Sequence, residues 1–362
     1  MPVHTVCALG HTMIESMKIQ NFRCFSELEV HGLKPVNIIV GENASGKSAF
    51  LEAIFLASGA NVQVPFNFRI WRQFGGTIAI QADASSYQEL WDDLFYAFDQ
   101  TCTISIEAIG TSADSRSLRI WYGDDSNQIL PFGKQTIPPN FFPQINFKWQ
   151  GGDREAVVVR PKLTAEGLKI EGASFEHYPA MMFGPHINQT QNENVKLFSS
   201  LSKSGRIDPV LNALQSEFPF LRQLSVEYSS STPAVFAEIS GQKRKLPVGL
   251  ISDGVNKLLS VLLAIASYPN GTLLIDQIED GFYFKRLSST WRVIHKFAKE
   301  NGTQVFATTH SRECLDALSP VLEANEGDFA LLRASRTDDS TKFSVINGRR
   351  FGSALSQEFE LR

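Results

Sequence analysis

Cysteine is scarce in this sequence, which contains four in 362 residues. Their wide spacing forms neither a Cys-x-x-Cys metal motif nor the dense framework of a disulfide-rich secreted domain; they are Cys7, Cys24, Cys102 and Cys314. A reducing compartment therefore suits the chain, and the sequence predicts a cytoplasmic protein.

Long hydrophobic runs are also missing. The longest, at 258–266, is far shorter than the roughly 20 residues that cross a bilayer. Residues 1–12 lack the apolar core of a signal peptide. No membrane is therefore expected among the partners. Met13 and Met17 stand just before the first convincing strand, so residues 1–16 are predicted to be a disordered or non-native start.

The chain has no strong excess of charge of one sign. Lysine and arginine total 34 against 38 acidic residues, a formal net charge of −4. No overall field therefore attracts nucleic acid, and direct nucleic-acid binding is an alternative that the charge does not support. Heptads and repeats are absent as well, which excludes a long coiled coil or a solenoid.

The most informative segment that is present runs from Gly41 to Ser48 and fits Gly-x-x-x-x-Gly-Lys-Ser, the phosphate-binding P-loop. A buried strand is predicted before it, at 36–40, and a helix after it, at 48–56. Glycine permits the close approach of the loop amides to phosphates. Lys47 is expected to reach the β- and γ-phosphates and Ser48 to bind Mg²⁺. The predicted nucleotide-binding residues are Asn43, Ala44, Ser45, Gly46, Lys47, Ser48 and Ala49.

Hydrophobic periodicity predicts an α/β fold with an N-terminal antiparallel β-lobe and an inserted helical segment. Strand-like runs lie at 17–22, 27–30, 103–109, 117–122, 155–160 and 168–171. A short helix or lid is predicted at 87–98, a proline-rich loop at 131–143 and helical structure at 192–218. Two further strands are predicted at 223–228 and 234–239.

The final third alternates between helix and strand. Helices are predicted at 252–267, 284–300 and 312–318, and strands at 272–275, 304–308 and 329–332. Such alternation predicts a mostly parallel core sheet covered by helices.

Three motifs in this last third surround the ends of predicted strands. The apolar strand at 272–275 ends in Asp276, the Walker B pattern, which would hold Mg²⁺ beside Ser48. Ser252, Asp253 and Gly254 open a very apolar helix and predict an anion-binding helix end. His310 follows the strand at 304–308, where it could sense a γ-phosphate.

Together these motifs resemble a known clade. The resemblance is carried by Asn21-Phe22-Arg23, the P-loop, Ser252-Asp253-Gly254, the segment 274–281 and Thr308-Thr309-His310-Ser311. They are similar to ABC-ATPase-like proteins, and most similar to the stand-alone AAA-type ATPases related to the ATPase domains of RecF, SMC and OLD proteins. The resemblance covers about 17–362.

The resemblance implies an ABC-type P-loop head that binds ATP with Mg²⁺ and dimerises face to face. Each nucleotide would lie between the Walker motifs of one subunit and the signature helix of the other, here Ser252, Asp253 and Gly254. His310 matches the switch histidine of the family, and Arg23 matches a basic residue near the nucleotide. Gln73 and Gln81 are two alternatives for the Q-loop glutamine.

One departure concerns catalysis. The family has Asp-Glu at the end of Walker B, and here Gln277 replaces that glutamate. A carboxamide can orient water but cannot take its proton. Glu279, two residues on, matches a further glutamate of the family. Either hydrolysis is slow and the chain acts as a nucleotide-gated scaffold or sensor, or Glu279 or Asp280 is the base.

The sequence therefore predicts one ATPase domain at 17–362. Within it, 60–248 contains the β-lobe and helical insertions, and 249–362 carries the signature, Walker B and the switch histidine. Nothing resembling a Toprim nuclease follows His310. Lone ATPases of this kind are often encoded beside an effector, so the expected partners are a second copy of the chain and a separately encoded effector protein, in a defence or toxin–antitoxin-like system.

Overall fold

The structure is a computed structural model, and it describes 13–59, 62, 64–65, 68, 88–111, 115–123, 144–164, 167–171, 178–184, 191–229, 231–337, 340–348 and 350–352. The alternative Q-loop residues Gln73 and Gln81, and the proline-rich loop at 131–143, lie outside these residues.

An antiparallel sheet forms the N-terminal lobe, as predicted. Its strands are β1 (Ile14–Phe22), β2 (Phe25–His31), β4 (Ile104–Gly110), β5 (Ser115–Tyr122), β6 (Ile145–Gly151), β7 (Val157–Thr164) and β8 (Gly167–Glu171). Their order across the sheet is β2-β1-β4-β5-β6-β7-β8. Alternation of buried and exposed residues along β4 and β5 gives the sheet one face in the core.

The central sheet positions the site. Its strands are β3 (Val36–Gly41), β9 (Ala180–Phe183), β13 (Thr272–Ile275), β14 (Gln304–Thr308), β15 (Phe329–Arg336) and β16 (Thr341–Asn347), in the order β16-β15-β3-β14-β13-β9. All neighbours are parallel except β15 and β16. Because β3, β14 and β13 are adjacent and parallel, their carboxyl ends share one edge of the sheet.

Burial explains why these central strands are mostly apolar. Every residue of β3, β13 and β14 is buried. Helix α1 (Lys47–Ala57) packs between this sheet and the antiparallel lobe and contributes Phe50, Leu51 and Ile54 to their shared core. A strand covered on both faces gains from apolar side chains on both faces.

The remaining helices form the other side of the molecule. They are α2 (Gln191–Lys203), α3 (Asp208–Glu217), α4 (Asp253–Ser267), α5 (Leu287–Glu300) and α6 (Arg312–Glu323). A small sheet, β10 (Leu221–Ser229), β11 (Thr232–Ile239) and β12 (Leu246–Pro247), packs against α2. Helix α4 is buried along Leu258–Ala266 because α2, α3 and α5 all contact it.

The predicted strands and the longer helices are confirmed in type, and several boundaries need correction. Strand β1 begins at Ile14, inside the predicted non-native start, because Ile14 is buried and exchanges two hydrogen bonds of 2.8 Å with the Gln304 side chain. Helix α6 continues past Leu318 through Pro320, since Val321 and Leu322 bury the next turn. Residues 92–94 and 96–98 are short 3₁₀ turns rather than a regular helix, and β15 extends to Arg336.

Four strands among the described residues were not predicted, and the shortest of them is the two-residue β12. Strand β6 directly follows the proline-rich segment, which masked its alternating pattern in the sequence. Strand β9 is four residues long and lies at the edge of the central sheet. Strand β16 forms the opposite edge and mixes polar with apolar residues, so that only its antiparallel pairing with β15 identifies it.

Candidate functional site

The P-loop connects β3 to α1 with the geometry that its glycines allow. Gly41 and Gly46 have φ of 143° and 89°, and Ala44, between them, has φ of 61°. A Cβ at Gly46 would lie 2.9 Å from Cys24 Sγ and from the Phe25 ring. The turn between β1 and β2 therefore packs directly against the P-loop. Position 46 requires glycine for two reasons: its positive φ, and the lack of space for a Cβ.

Lys47 lies inside the loop. Its ammonium donates to Gly41 O at 2.8 Å and Glu42 O at 2.7 Å, and Ser45 is also buried beside it. Burial lowers the pKa of Lys47, and the Asp276 carboxylate opposes that shift. Ala49 is buried in the first turn of α1, whereas Asn43 is exposed at the tip of the loop. The loop thus presents one cation at the start of a helix, a combination that suits phosphate.

Ser48 and Asp276, the predicted metal ligands, come together although 228 residues separate them. The Ser48 hydroxyl donates to Asp276 Oδ2 at 2.6 Å, and the Thr308 hydroxyl donates to Asp276 Oδ1 at 2.5 Å. Asp276 is 9% exposed, so these hydroxyls fix its orientation.

The donor set fits Mg²⁺. A hydroxyl and a carboxylate are hard oxygen ligands, and Mg²⁺ in nucleotide sites takes one or two protein ligands and completes its shell with phosphates and water. Among the described residues no group of three or more His, Cys, Asp or Glu forms a denser metal site. The pair of side chains therefore matches a metal that arrives with a nucleotide.

Gln277 follows Asp276 in a left-handed conformation, with φ of 56°. Its N–H donates to Thr308 Oγ1 at 2.8 Å, and the Ile278 N–H donates to Thr308 O at 3.0 Å. The chain therefore turns sharply at the end of β13 and is held there by the end of β14. The Gln277 side chain is half-buried at this turn.

Glu279 and His310 contact each other across the same edge of the sheet. Glu279 Oε1 accepts the His310 N–H at 3.0 Å. Glu279 Oε2 is buried, and no hydrogen-bond donor is assigned to it within the described part of the chain. A buried carboxylate oxygen without a donor is costly, and a water or ligand group fits that position. Burial and the nearby Lys47 ammonium lower the pKa of His310, which favours its neutral imidazole.

The predicted signature residues open α4. Ser252 is the N-cap and accepts the Val255 N–H at 3.2 Å through its hydroxyl. Ser252 and Asp253 are exposed. Gly254 packs against the loop after Walker B, since a Cβ there would lie 3.1 Å from Gly281 O. The helix end is therefore accessible from outside and in contact with the Walker B loop from inside.

Lys257, one turn further along α4, is a site residue that the sequence reasoning missed. Its ammonium donates to the carbonyls of Gln277, Ile278 and Asp280 at 3.1, 3.2 and 2.7 Å. Burial lowers its pKa to about 8. A signal was present, because Lys257 is the one charged residue between positions 254 and 267 of an otherwise apolar helix.

The sequence reasoning also gave Thr308 no role at the site. A signal was present here too, because Thr308 is a polar residue at the end of a mostly apolar strand.

Arg23 lies at the turn between β1 and β2, where its Nε is 2.7 Å from Glu52 Oε2 and its Nη1 is 3.2 Å from Asp93 Oδ2. The structure thus places Arg23 against α1, which begins at the P-loop. Its role at a nucleotide stays a prediction.

The P-loop, the Ser48–Asp276 pair and the N-terminus of α4 together define a class: a P-loop nucleotide-binding ATPase head. Two family profiles match the chain. The profile described as "AAA ATPase domain" matches 13–128, and that described as "AAA domain, putative AbiEii toxin, Type IV TA system" matches 163–316. Over these two segments the chain is similar to AAA-type ATPases, and RecF is among its curated relatives.

Curated relatives extend over most of the chain. An "ATP/GTP phosphatase" from Helicobacter pylori is 24% identical over 379 residues, covering 96% of this chain and 98% of the relative. A "DNA replication and repair protein RecF" from Acinetobacter baumannii is 22% identical over 336 residues, covering 82% and 91%. A RecF from Nitrosococcus oceani is 51% identical over 43 residues, which are 12% of each chain.

Solved structures of SMC heads are also similar. The SMC head domain from Thermotoga maritima aligns with a TM-score of 0.43 and 12% identity, covering 92% of this chain and 99% of that one. An SMC head bound to the C-terminal winged-helix domain of ScpA gives a TM-score of 0.48 and 12% identity. None of the helices in the described part of the chain has the length and hydrophobicity of a membrane-spanning helix.

Proposed function

We propose that this chain binds ATP with Mg²⁺, hydrolyses it slowly and closes on it as a face-to-face homodimer that controls a partner protein. The observation that carries the proposal is the convergence of Ser48 Oγ and Asp276 Oδ2 at 2.6 Å beside the buried Lys47 ammonium. The hydroxyl and the cation follow β3 and the carboxylate follows β13, the two parallel strands on either side of β14. Together these groups suit a metal-bound triphosphate.

The chemistry follows from the placement of each group. The loop amides and Lys47 would hold the β- and γ-phosphates, while Ser48 and Asp276 would hold Mg²⁺. Bound Mg²⁺ would supply neutralisation of the charge that develops on the phosphates. Ordering the triphosphate in this way fixes the γ-phosphorus relative to the Walker B loop, where the attacking water must be held.

We assign the general base to Glu279 rather than to Gln277. Glu279 Oε2 is buried with no assigned donor, and Oε1 is held by the His310 N–H, so the free oxygen has a fixed direction. In this assignment a water proton passes to Oε2, the water oxygen bonds to the γ-phosphorus, and the bond from that phosphorus to the bridging oxygen breaks, releasing ADP and phosphate.

Dimerisation is proposed from the exposure of the signature. Ser252 and Asp253 face outward at the positive end of α4, and in the described residues no acceptor is assigned to the Asp253 and Gly254 amides. A γ-phosphate held by a second copy of the chain would be a fitting acceptor. Ser252, Asp253 and Gly254 therefore remain the proposed residues for the nucleotide of the partner subunit.

The controlled partner is proposed to be a separately encoded effector that binds within the region 60–248. The matched profile that mentions a toxin of a type IV toxin–antitoxin system supports such a setting.

A second candidate, a nucleotide-gated scaffold with little turnover, is favoured by one observation: Gln277 occupies the position of the usual catalytic glutamate.

Phosphate release from ATP tests the proposal directly. We expect Mg²⁺-dependent release that EDTA abolishes and that Lys47→Ala reduces to background, with GTP as a parallel substrate because one relative is named for both nucleotides. Binding of ATP with no release over hours favours the scaffold. Equal release by wild type and Lys47→Ala contradicts the proposal.

A further inference from the structure

The loop after Walker B, residues 276–281, is held from two sides. The end of β14 holds its amides, because Thr308 accepts the N–H groups of Gln277 and Ile278. Lys257 holds its carbonyls, and the three donated bonds use all three N–H groups of the ammonium. We call this segment the catalytic loop.

Lys257 belongs to the signature helix rather than to the catalytic loop. It is five positions after Ser252, on α4, and its stem packs beside Gly281. The Phe282 ring lies 5.4 Å from the ammonium, and Gly254 abuts Gly281 O. The start of α4 and the catalytic loop therefore form one packed unit within a subunit.

The contact between Lys257 and the catalytic loop also bears on catalysis. Gln277 has a left-handed backbone, and such a conformation persists only where its surroundings hold it. Glu279, two residues later, has its free oxygen fixed through the same loop. Loss of the Lys257 donors would leave half-buried carbonyls unpaired and release the loop from α4.

We propose that Lys257 is a positioning residue that couples the signature helix to the catalytic loop, so that Glu279 is aligned for water only when α4 is correctly placed. This inference rests on the proposed ATPase function and deepens it. Contact of the signature with the nucleotide of a second subunit would then be transmitted to the catalytic loop of its own subunit.

Lys257→Met keeps the unbranched stem and removes the three donors, so it tests the coupling. We expect a rate of single-turnover ATP hydrolysis reduced by about 10²-fold, the scale of a misplacement near 1 Å, with the dissociation constant for ATP changed less than about twofold. Lys257→Arg, which restores a charged donor, should recover a large part of the rate. Lys296→Met on α5 is the matched control, because Lys296 is exposed and pairs only weakly with Glu300 at 3.9 Å.

Hydrogen exchange in the nucleotide-free protein provides a readout independent of hydrolysis. In Lys257→Met the amides of Gln277 and Ile278 should exchange at least about tenfold faster while those of α4 stay protected. Unchanged exchange in the loop overturns the inference whatever the enzyme does. A Lys257→Met protein that hydrolyses ATP like wild type, or that loses ATP affinity as much as rate, also overturns it. Failure of wild type to bind ATP contradicts the proposed function instead.

Discussion

Replacement of Glu279 by glutamine is the most informative perturbation of the proposed chemistry. The substitution keeps the shape and leaves an amide oxygen that can still accept the His310 N–H, now 3.0 Å from Oε1. It removes only the ability to take a proton. Loss of a general base costs about 10²–10⁴-fold in rate, which corresponds to about 3–5 kcal/mol of barrier at 1.36 kcal/mol per tenfold.

The assay is single-turnover hydrolysis of labelled ATP with protein in excess, so that product release does not limit the rate. Calorimetry with ATP should give an affinity within about twofold of wild type, because Glu279 lies beyond the phosphate-binding residues. Asp280→Asn and Gln277→Ala are the matched controls on the same loop. A Glu279→Gln protein within threefold of wild type, together with a large loss in Gln277→Ala or Asp280→Asn, would falsify the assignment of the base.

Three further predictions concern the loop, the metal and the switch histidine. Gly46→Ala should lower the free energy of unfolding by about 2 kcal/mol or more, because position 46 has a positive φ and a Cβ there would meet the Phe25 ring. Gly205→Ala should lower it by only about 1 kcal/mol, because position 205 has φ of 69° but open space around it. Urea titration measures both changes. Thr308→Val should raise the Mg²⁺ concentration for half-maximal hydrolysis and Thr308→Ser should restore it, because the hydroxyl orients Asp276; equal Mg²⁺ dependence in all three proteins would contradict this. The pKa of His310 is lowered in the nucleotide-free protein, and the negative charge of bound phosphates should raise it again. ATP binding at pH 6.5 should therefore be accompanied by proton uptake. Calorimetry in two buffers with different ionisation enthalpies should show this uptake, and His310→Asn should lose it.

The central sheet could be predicted from the sequence because its strands are buried on both faces. Burial makes β3, β13 and β14 mostly apolar, and each ends at or just before residues with a proposed role: Gly41, Asp276 and the Thr308–His310 segment. Because neighbouring parallel strands end at one edge of the sheet, the motifs alone predicted that Ser48 and Asp276 lie close together. Edge strands such as β9 and β16 lack that double burial, and their patterns gave no signal.

The finer chemistry of the site could not be predicted. No sequence rule states that Oε1 of Glu279 is held by a backbone N–H while Oε2 is buried without an assigned donor. Gln277 and Glu279 are two positions apart in the sequence, and the left-handed turn at Gln277 determines where each side chain lies. Lys257 carried a sequence signal, a single charge in an apolar helix, but its carbonyl partners lie on a loop about twenty residues later.

The most direct test of the account is sedimentation velocity of the Glu279→Gln protein, which should bind ATP without consuming it. The account predicts a dimer in MgATP and a shift towards monomer in MgADP, since the exposed end of α4 can meet a γ-phosphate only across an interface. Ser252→Arg should stay monomeric in MgATP while binding ATP normally by calorimetry. Identical sedimentation in ATP and ADP, with Ser252→Arg indistinguishable from its parent, would contradict the nucleotide-closed dimer.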